Sequence, residues 1–182
     1  MAGDVTEIKG IWRLKMTYQP DEQVIGSSAS MTVKTTGNRV VNPSSQTARY
    51  KTQWCAQFYA AAELTRRGYL VSMTFGNATA SDLIVQSPGG YPFTVDVKGQ
   101  STKNFWLIQR RPDNAAHYFI LVYLPPAFEP PRFFVLSCSQ LMGHRAEYEQ
   151  ASTVRGKYRD DLGGMNWSTA LSHEGQWEIL PE

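Results

Sequence analysis

Apolar and polar positions change period several times along this 182-residue chain, and each change marks an element. From about Gln46 to Arg67 the period is helical. Trp54, Phe58, Ala61, Leu64 and Thr65 recur at three- and four-residue spacings and make one face. Gly68 closes the helix as a C-cap, and Arg66 and Arg67 suit its negative end. The period then drops to two. Tyr69-Leu70-Val71-Ser72-Met73 reads as a strand, Gly76-Asn77-Ala78 as a turn and Asp82 to Gln86 as a second strand. Ser87-Pro88-Gly89-Gly90 is a tight connection into a third strand, Tyr91 to Lys98.

Residues 99–116 are polar, with Phe105-Trp106-Leu107-Ile108 embedded in them. Tyr118 to Leu124 is a nearly continuous apolar run, the mark of a strand buried on both faces, and Pro125-Pro126 stops it. Arg132 to Leu136 is a further strand. Ser139 is the expected N-cap of a second helix reaching about Gln150, followed by a loop-rich tail ending in Trp177-Glu178-Ile179-Leu180. Residues 1–45 differ: a short strand around Ile8 to Met16 and a Gly26-Ser27-Ser28-Ala29-Ser30 stretch suggest an extension or hairpin arm. Residues 46–182 are thus expected to form one α/β domain, a central mixed sheet flanked by helices.

Composition narrows the class. Hydrophobic residues at 42% and charged residues at 19% describe a globular chain. A net charge of +2 permits an anionic partner without arguing for one, so any nucleic-acid surface must be a local patch. Cys55 and Cys138 lack metal-type spacing and are expected to be reduced, buried thiols. No stretch reaches the length of a membrane span and the start has no apolar leader, so a soluble, cytoplasmic protein is expected.

The chemistry concentrates in Phe93-Thr94-Val95-Asp96-Val97-Lys98-Gly99-Gln100. On a strand, Asp96 and Lys98 share one face while Val95 and Val97 pack on the other. Fourteen positions before Asp96, Asp82 opens another apolar strand. Two acids converging on a divalent cation, with an ammonium beside the attacking water, suit phosphodiester hydrolysis. Glu7-Ile8-Lys9 repeats the spacing but has no helix, turn and acidic strand leading into it. Other chemistries fall away: there is no Gly-x-Ser-x-Gly elbow, Gly99 to Lys103 lacks phosphate-loop spacing, and His117, His144 and His173 are too dispersed for zinc.

In this order, Ala61-Ala62-Glu63-Leu64-Thr65-Arg66-Arg67-Gly68-Tyr69, Asp82-Leu83-Ile84-Val85, Val95-Asp96-Val97-Lys98, Tyr118 to Leu124 and Trp177 resemble the PD-(D/E)xK nuclease superfamily. That superfamily includes Holliday-junction resolvases and many restriction endonucleases. The resemblance spans residues 47–140 and implies a restriction-endonuclease-like αβββαβ core. It further implies a metal-dependent endonuclease acting on DNA, with Asp82 and Asp96 as metal ligands and Lys98 as the catalytic lysine. The expected ion is Mg²⁺, with Mn²⁺ as an alternative, and the Val97 carbonyl and a phosphate oxygen complete the shell.

Two positions depart from the pattern. Ser81 stands where the signature has proline, and Gln57 where similar enzymes carry a helix acid. At about 100° per residue Gln57 lies within roughly 60° of Trp54, Ala61 and Leu64, so it should face the sheet near the attacking water. Glu63 points away and should pair with Arg67 at the surface. Gln57 also favours a second reading, a catalytically weak or inactive nuclease-fold module that binds nucleic acid or a protein partner.

Around this centre several roles stay open. Gln100 either holds water or phosphate or is a turn residue. Lys51, Lys103, Arg110 and Arg111 are phosphate contacts or solvated charges. Phe105 and Trp106 stack on bases or sit in the core. Arg155, Lys157 and Arg159 are a further phosphate contact or a polar loop. Nucleases that cut both strands are commonly two-fold dimers, which adds a homodimer as an expectation carried by no residue here.

Overall fold

A computed structural model describes residues 45–75, 81–126, 128–157 and 163–182. Of the arm expected over residues 1–45, all but Ser45 lies outside the described residues, as do the Gly76-Asn77-Ala78 turn and Arg159.

Helix α1 (Ser45–Arg66) ends as expected. Gly68 takes φ +93°, which glycine adopts without steric cost. The Gly68 N–H then reaches the Thr65 carbonyl at 3.0 Å, and Tyr69 reaches Leu64 at 3.2 Å. The buried face is not the aromatic one. Ala56, Gln57, Ala60 and Leu64 turn inward, whereas Trp54 and Phe58 are 37% and 55% exposed. The cause lies across the interface, in Gly99. A Cβ there would stand 2.5 Å from the Ala56 Cβ and 2.8 Å from the Thr52 carbonyl oxygen. The helix approaches the sheet so closely that only small side chains fit between them. Of the expected apolar face, Leu64 is fully buried and Trp54 and Phe58 are corrected to the outer surface.

Strands β1 (Leu70–Met73), β2 (Leu83–Gln86) and β3 (Pro92–Gln100) form an antiparallel meander. A two-residue strand β4 (Trp106–Leu107) lies in the connection to β5 (His117–Tyr123), and β6 (Arg132–Ser137) follows. The five-stranded sheet runs β1-β2-β3-β5-β6, with β5 parallel to β3 and antiparallel to β6. The mixed sheet is therefore as expected. Asp96 lies beside Phe119 and Lys98 beside Leu121 in the parallel register.

Each face of the sheet carries a core. Val95, Val97, Ile120 and Val122 pack beneath α1 together with Trp177. Phe119, Leu121, Phe134 and Leu136 pack on the other side with Cys138 and Leu141 of α2 (Cys138–Val154). That helix starts two residues earlier than expected. Ser137, not Ser139, is the N-cap: its hydroxyl accepts from the Gln140 N–H, and the Gln140 side chain accepts from the Ser137 N–H.

The tail is more ordered than its composition suggests. β7 (Gly164–Met165) pairs with β4, and α3 (Trp167–Ala170) leads into two 3₁₀ turns, Leu171–His173 and Trp177–Ile179. Trp106 is a core residue, whereas Phe105 is half-buried against the Tyr148 ring. Cys138 is buried as expected, while Cys55 is half-exposed, and both are free thiols. Among the described residues no helix is long and apolar enough to cross a membrane.

A candidate active site where the second strand ends

β3 is longer than its partner. Pairing with β2 stops at Leu83 opposite Val95, so the β3 edge beyond Val95 has no strand beside it. Buried backbone groups there still require partners, and side chains supply them. Asp82 continues the pairing for one step, its N–H donating to the Val95 carbonyl at 3.1 Å. Its Oδ2 then accepts from the Val97 N–H at 2.7 Å. Gln53 of α1 takes the next places, donating from Nε2 to the Val97 carbonyl at 2.6 Å and accepting from the Gly99 N–H at 3.1 Å.

Gln57 faces the sheet as expected. Its Nε2 donates to Asp82 Oδ1 at 2.7 Å. Both carboxylate oxygens of Asp82 are therefore anchored, one by the helix and one by the strand. The second Asp82 contact is to the residue that separates Asp96 from Lys98. Burial pushes the Asp82 carboxyl above its usual value. Asp96 adds to that rise, while the Val97 N–H and the Lys98 and Arg111 charges oppose it.

Asp96 and Lys98 project on the face opposite α1. Around Asp96 stand Arg111 Nη1 at 3.5 Å, Lys98 Nζ at 3.8 Å and His117 Nε2 at 3.8 Å. His117 is buried, and its ring is pushed down to about 4, first by burial and then by the Arg111 and Lys98 charges. At neutral pH it is therefore uncharged. The Arg111 guanidinium meets His117 Nε2, which must accept; Nδ1 then carries the proton to Thr94 Oγ1 at 2.8 Å. A cleft of about 300 Å³ opens over Asp96 and Lys98, walled by Leu107, Gln109, Arg111 and Phe119. A wider groove of about 580 Å³ leads from Lys98 past Gln53 and Arg49 to Phe105.

The other expected contacts scatter. Gln100 donates to the Asn104 carbonyl at 3.3 Å, bracing the turn after β3. Arg110 pairs with Glu149 of α2 at 2.8 Å. Lys103 lies over the Tyr123 and Trp167 rings, and Lys51 is exposed on α1. Of the four cations, Arg111 reaches the acids. Glu63 is a surface residue, paired with Arg66 at 2.8 Å and Arg67 at 2.9 Å.

Two members of the site have no counterpart in the sequence reading. Gln53 carries a readable signal, since it sits one turn before Gln57 on the same helical face. His117 enters only through the parallel pairing that lays it beside Thr94.

Asp82 and Asp96 are the side chains here that could hold a metal. Among the described residues no three His, Cys, Asp or Glu side chains cluster tightly enough to enclose a metal. His144 and His173, expected to be dispersed, instead meet through their Nε2 atoms at 2.9 Å, brought together by α2 and the turn after α3. Two carboxylates, with the rest of the shell from water and substrate, is a common arrangement for Mg²⁺. Gln57 Oε1 is buried without a hydrogen-bond partner, an unused oxygen beside Asp82. Comparison with known proteins found no matching family model, no matching curated protein and no matching solved structure.

Proposed function

We propose that this chain is a divalent-metal-dependent endonuclease hydrolysing DNA phosphodiester bonds, built on a restriction-endonuclease-like core. One observation carries the reading: the anchored Asp82 carboxylate rests on the N–H of Val97, the residue that separates Asp96 from Lys98. Asp96 and Lys98 lie 3.8 Å apart on the strand whose edge Asp82 caps where β2 ends, which supports the pairing of two acids with one amine.

Asp82 and Asp96 would hold Mg²⁺ or Mn²⁺. The Val97 carbonyl, with one lone pair given to Gln53, keeps a second for the same purpose. A bound divalent ion would lower the pKa of water and neutralise charge on the phosphoryl oxygens. Lys98 orients the attacking water and offsets charge as the phosphorus centre becomes more anionic. Arg111 adds a second cation, held toward Asp96 by the neutral His117 ring. Gln57 fixes the orientation of Asp82 and, being an amide, takes no proton itself.

The test is cleavage of supercoiled plasmid, single-stranded DNA and RNA with Mg²⁺ or Mn²⁺, beside EDTA, Asp96→Ala and Lys98→Ala controls. Metal-dependent DNA nicking lost in both variants is expected. Cleavage surviving Asp96→Ala would refute this site. Tight DNA binding without any cutting would favour the inactive module instead.

A further inference from the structure

α1 buries Ala56 and Ala60 and presents its aromatics. Tyr50, Trp54 and Phe58 recur every fourth residue along one outward stripe, 59%, 37% and 55% exposed, and Phe75, 69% exposed, joins them from the end of β1. The Phe75 ring stacks on Trp54 at 5.7 Å and 22°, and Phe58 lies 6.0 Å from Trp54 at 30°. Contiguous exposed aromatic surface of this kind marks a binding face. The close contact at Gly99 explains why the aromatics cannot turn inward, but not why the outward positions are Trp, Phe and Tyr rather than polar residues.

The charges name the occupant. α1 has no acid before Glu63, and that one is held by Arg66 and Arg67. Its earlier charges are Arg49 and Lys51, and Lys51 lies one turn before Trp54, on the same outward side. Flat rings flanked by a cation, with no competing carboxylate, suit stacked bases and their phosphates.

The face also borders Asp82. Gln57, which bonds Asp82, is one turn from Trp54 and next to Phe58. Thr74, the residue before Phe75, bonds the Asp82 carbonyl through its N–H at 3.0 Å. From this juxtaposition we infer that the Tyr50-Trp54-Phe58-Phe75 surface is a stacking platform for an unpaired polynucleotide strand, delivering it to Asp82. This deepens the nuclease reading and rests on it, since it names the substrate form the site takes.

The test is fluorescence anisotropy with labelled oligo(dT), oligo(rU) and a duplex of equal length, in EDTA so that nothing is cut. Oligo(dT) or oligo(rU) should bind more tightly than duplex. Trp54→Ala and Phe58→Ala should each weaken that binding about five-fold or more, with Trp54→Phe retaining most of it. Lys51→Gln should weaken binding and lower the slope of its salt dependence by about one ion. Trp54 also packs on Phe58 and Phe75, so binding is compared at temperatures where every variant is fully folded, and Trp54→Phe, which keeps a ring there, should melt close to the unaltered protein. Equal affinity for duplex, or full affinity in Trp54→Ala, overturns the inference. So does sedimentation showing a dimer that Trp54→Ala dissociates, which would make the face a contact between copies. Absence of cleavage by the unaltered protein would instead count against the nuclease reading, whatever the binding shows.

Discussion

Gln57 donates its amide N–H to Asp82 Oδ1 at 2.7 Å and leaves its own Oε1 buried without a partner. A glutamine here steadies a half-buried carboxylate, whereas a glutamate would repel it. Gln57→Glu should therefore raise the Asp82 pKa further and lower stability near neutral pH by about 2 kcal/mol, through lost hydrogen bonding and like-charge repulsion. A divalent cation that binds between the acids should return much of that loss. Thermal melts of the variant with EDTA and with millimolar Mg²⁺ measure both effects. A melting temperature indifferent to Mg²⁺ would mean the two side chains do not share a cation.

Asp82 can be probed for its cost as well as its use. Its carboxyl is pushed up by burial, so the ionised form destabilises the folded chain at neutral pH relative to an unburied acid. In Asp82→Asn the new amide oxygen still accepts from the Val97 N–H, and its NH₂ group faces Gln57, which can rotate to present the idle Oε1. The variant should melt at the same or a higher temperature at neutral pH. The difference should shrink as pH falls and the native Asp82 takes up a proton, while cleavage is abolished. Calorimetry at two pH values decides. A large loss of stability would mark Asp82 as a strand-pairing residue first.

Much of this was legible because it is local. Gln57 and Glu63 sit six residues apart on one helix, and about 100° per residue is enough to send one to the sheet and the other to Arg66 and Arg67. The order of strands around Asp82, Asp96 and Lys98 followed from alternation and turns. What stayed hidden depends on contacts distant in sequence. Hydrophobicity puts Trp54 and Phe58 inside; the close approach of Gly99 to Ala56 puts them outside, and nothing within α1 announces that neighbour. β4 and β7 are two residues each, too short to show a period. His117 belongs to the site only because β5 lies parallel to β3. The start of α2 was readable, since Gln140 stands three residues after Ser137 in capping-box spacing, and Ser139 has no such partner.

His117 makes stability depend on pH in a defined direction. Its folded value is about 4 against an ordinary 6.5, so the unfolded chain binds a proton that the folded site refuses. The contribution is complete above 6.5 and is lost as pH falls toward 4, roughly 3–4 kcal/mol in all at about 1.4 kcal/mol per unit. His117→Gln keeps an acceptor for Arg111 and a donor for Thr94 but cannot titrate. Urea unfolding across this range should show a shallower decline for the variant, by up to one proton. Parallel curves for the two proteins would show that the imidazole charges freely in the folded state.

The packing of α1 on β3 should matter to the site as much as to the fold. Gly99 carries no side chain where a Cβ would meet the Ala56 methyl at 2.5 Å and the Thr52 carbonyl oxygen at 2.8 Å. Neither obstacle is the far end of a flexible chain, so Gly99→Ala must push the helix away from the strand. Overpacking of this kind costs about 1–3 kcal/mol. The same displacement strains the Gln53 bonds to Val97 and Gly99 and the Gln57 bond to Asp82, because all of them cross that interface. Gly99→Ala should therefore lose activity beyond its loss of stability, at temperatures where it remains fully folded. Ala56→Gly, which removes the opposing methyl, should restore part of both when combined with it, despite its own helix-propensity cost of about 1 kcal/mol. Denaturant titrations and cleavage rates of the two single variants and the double variant measure the coupling. Purely additive effects would mean that the helix is not seated on Gly99 through Ala56.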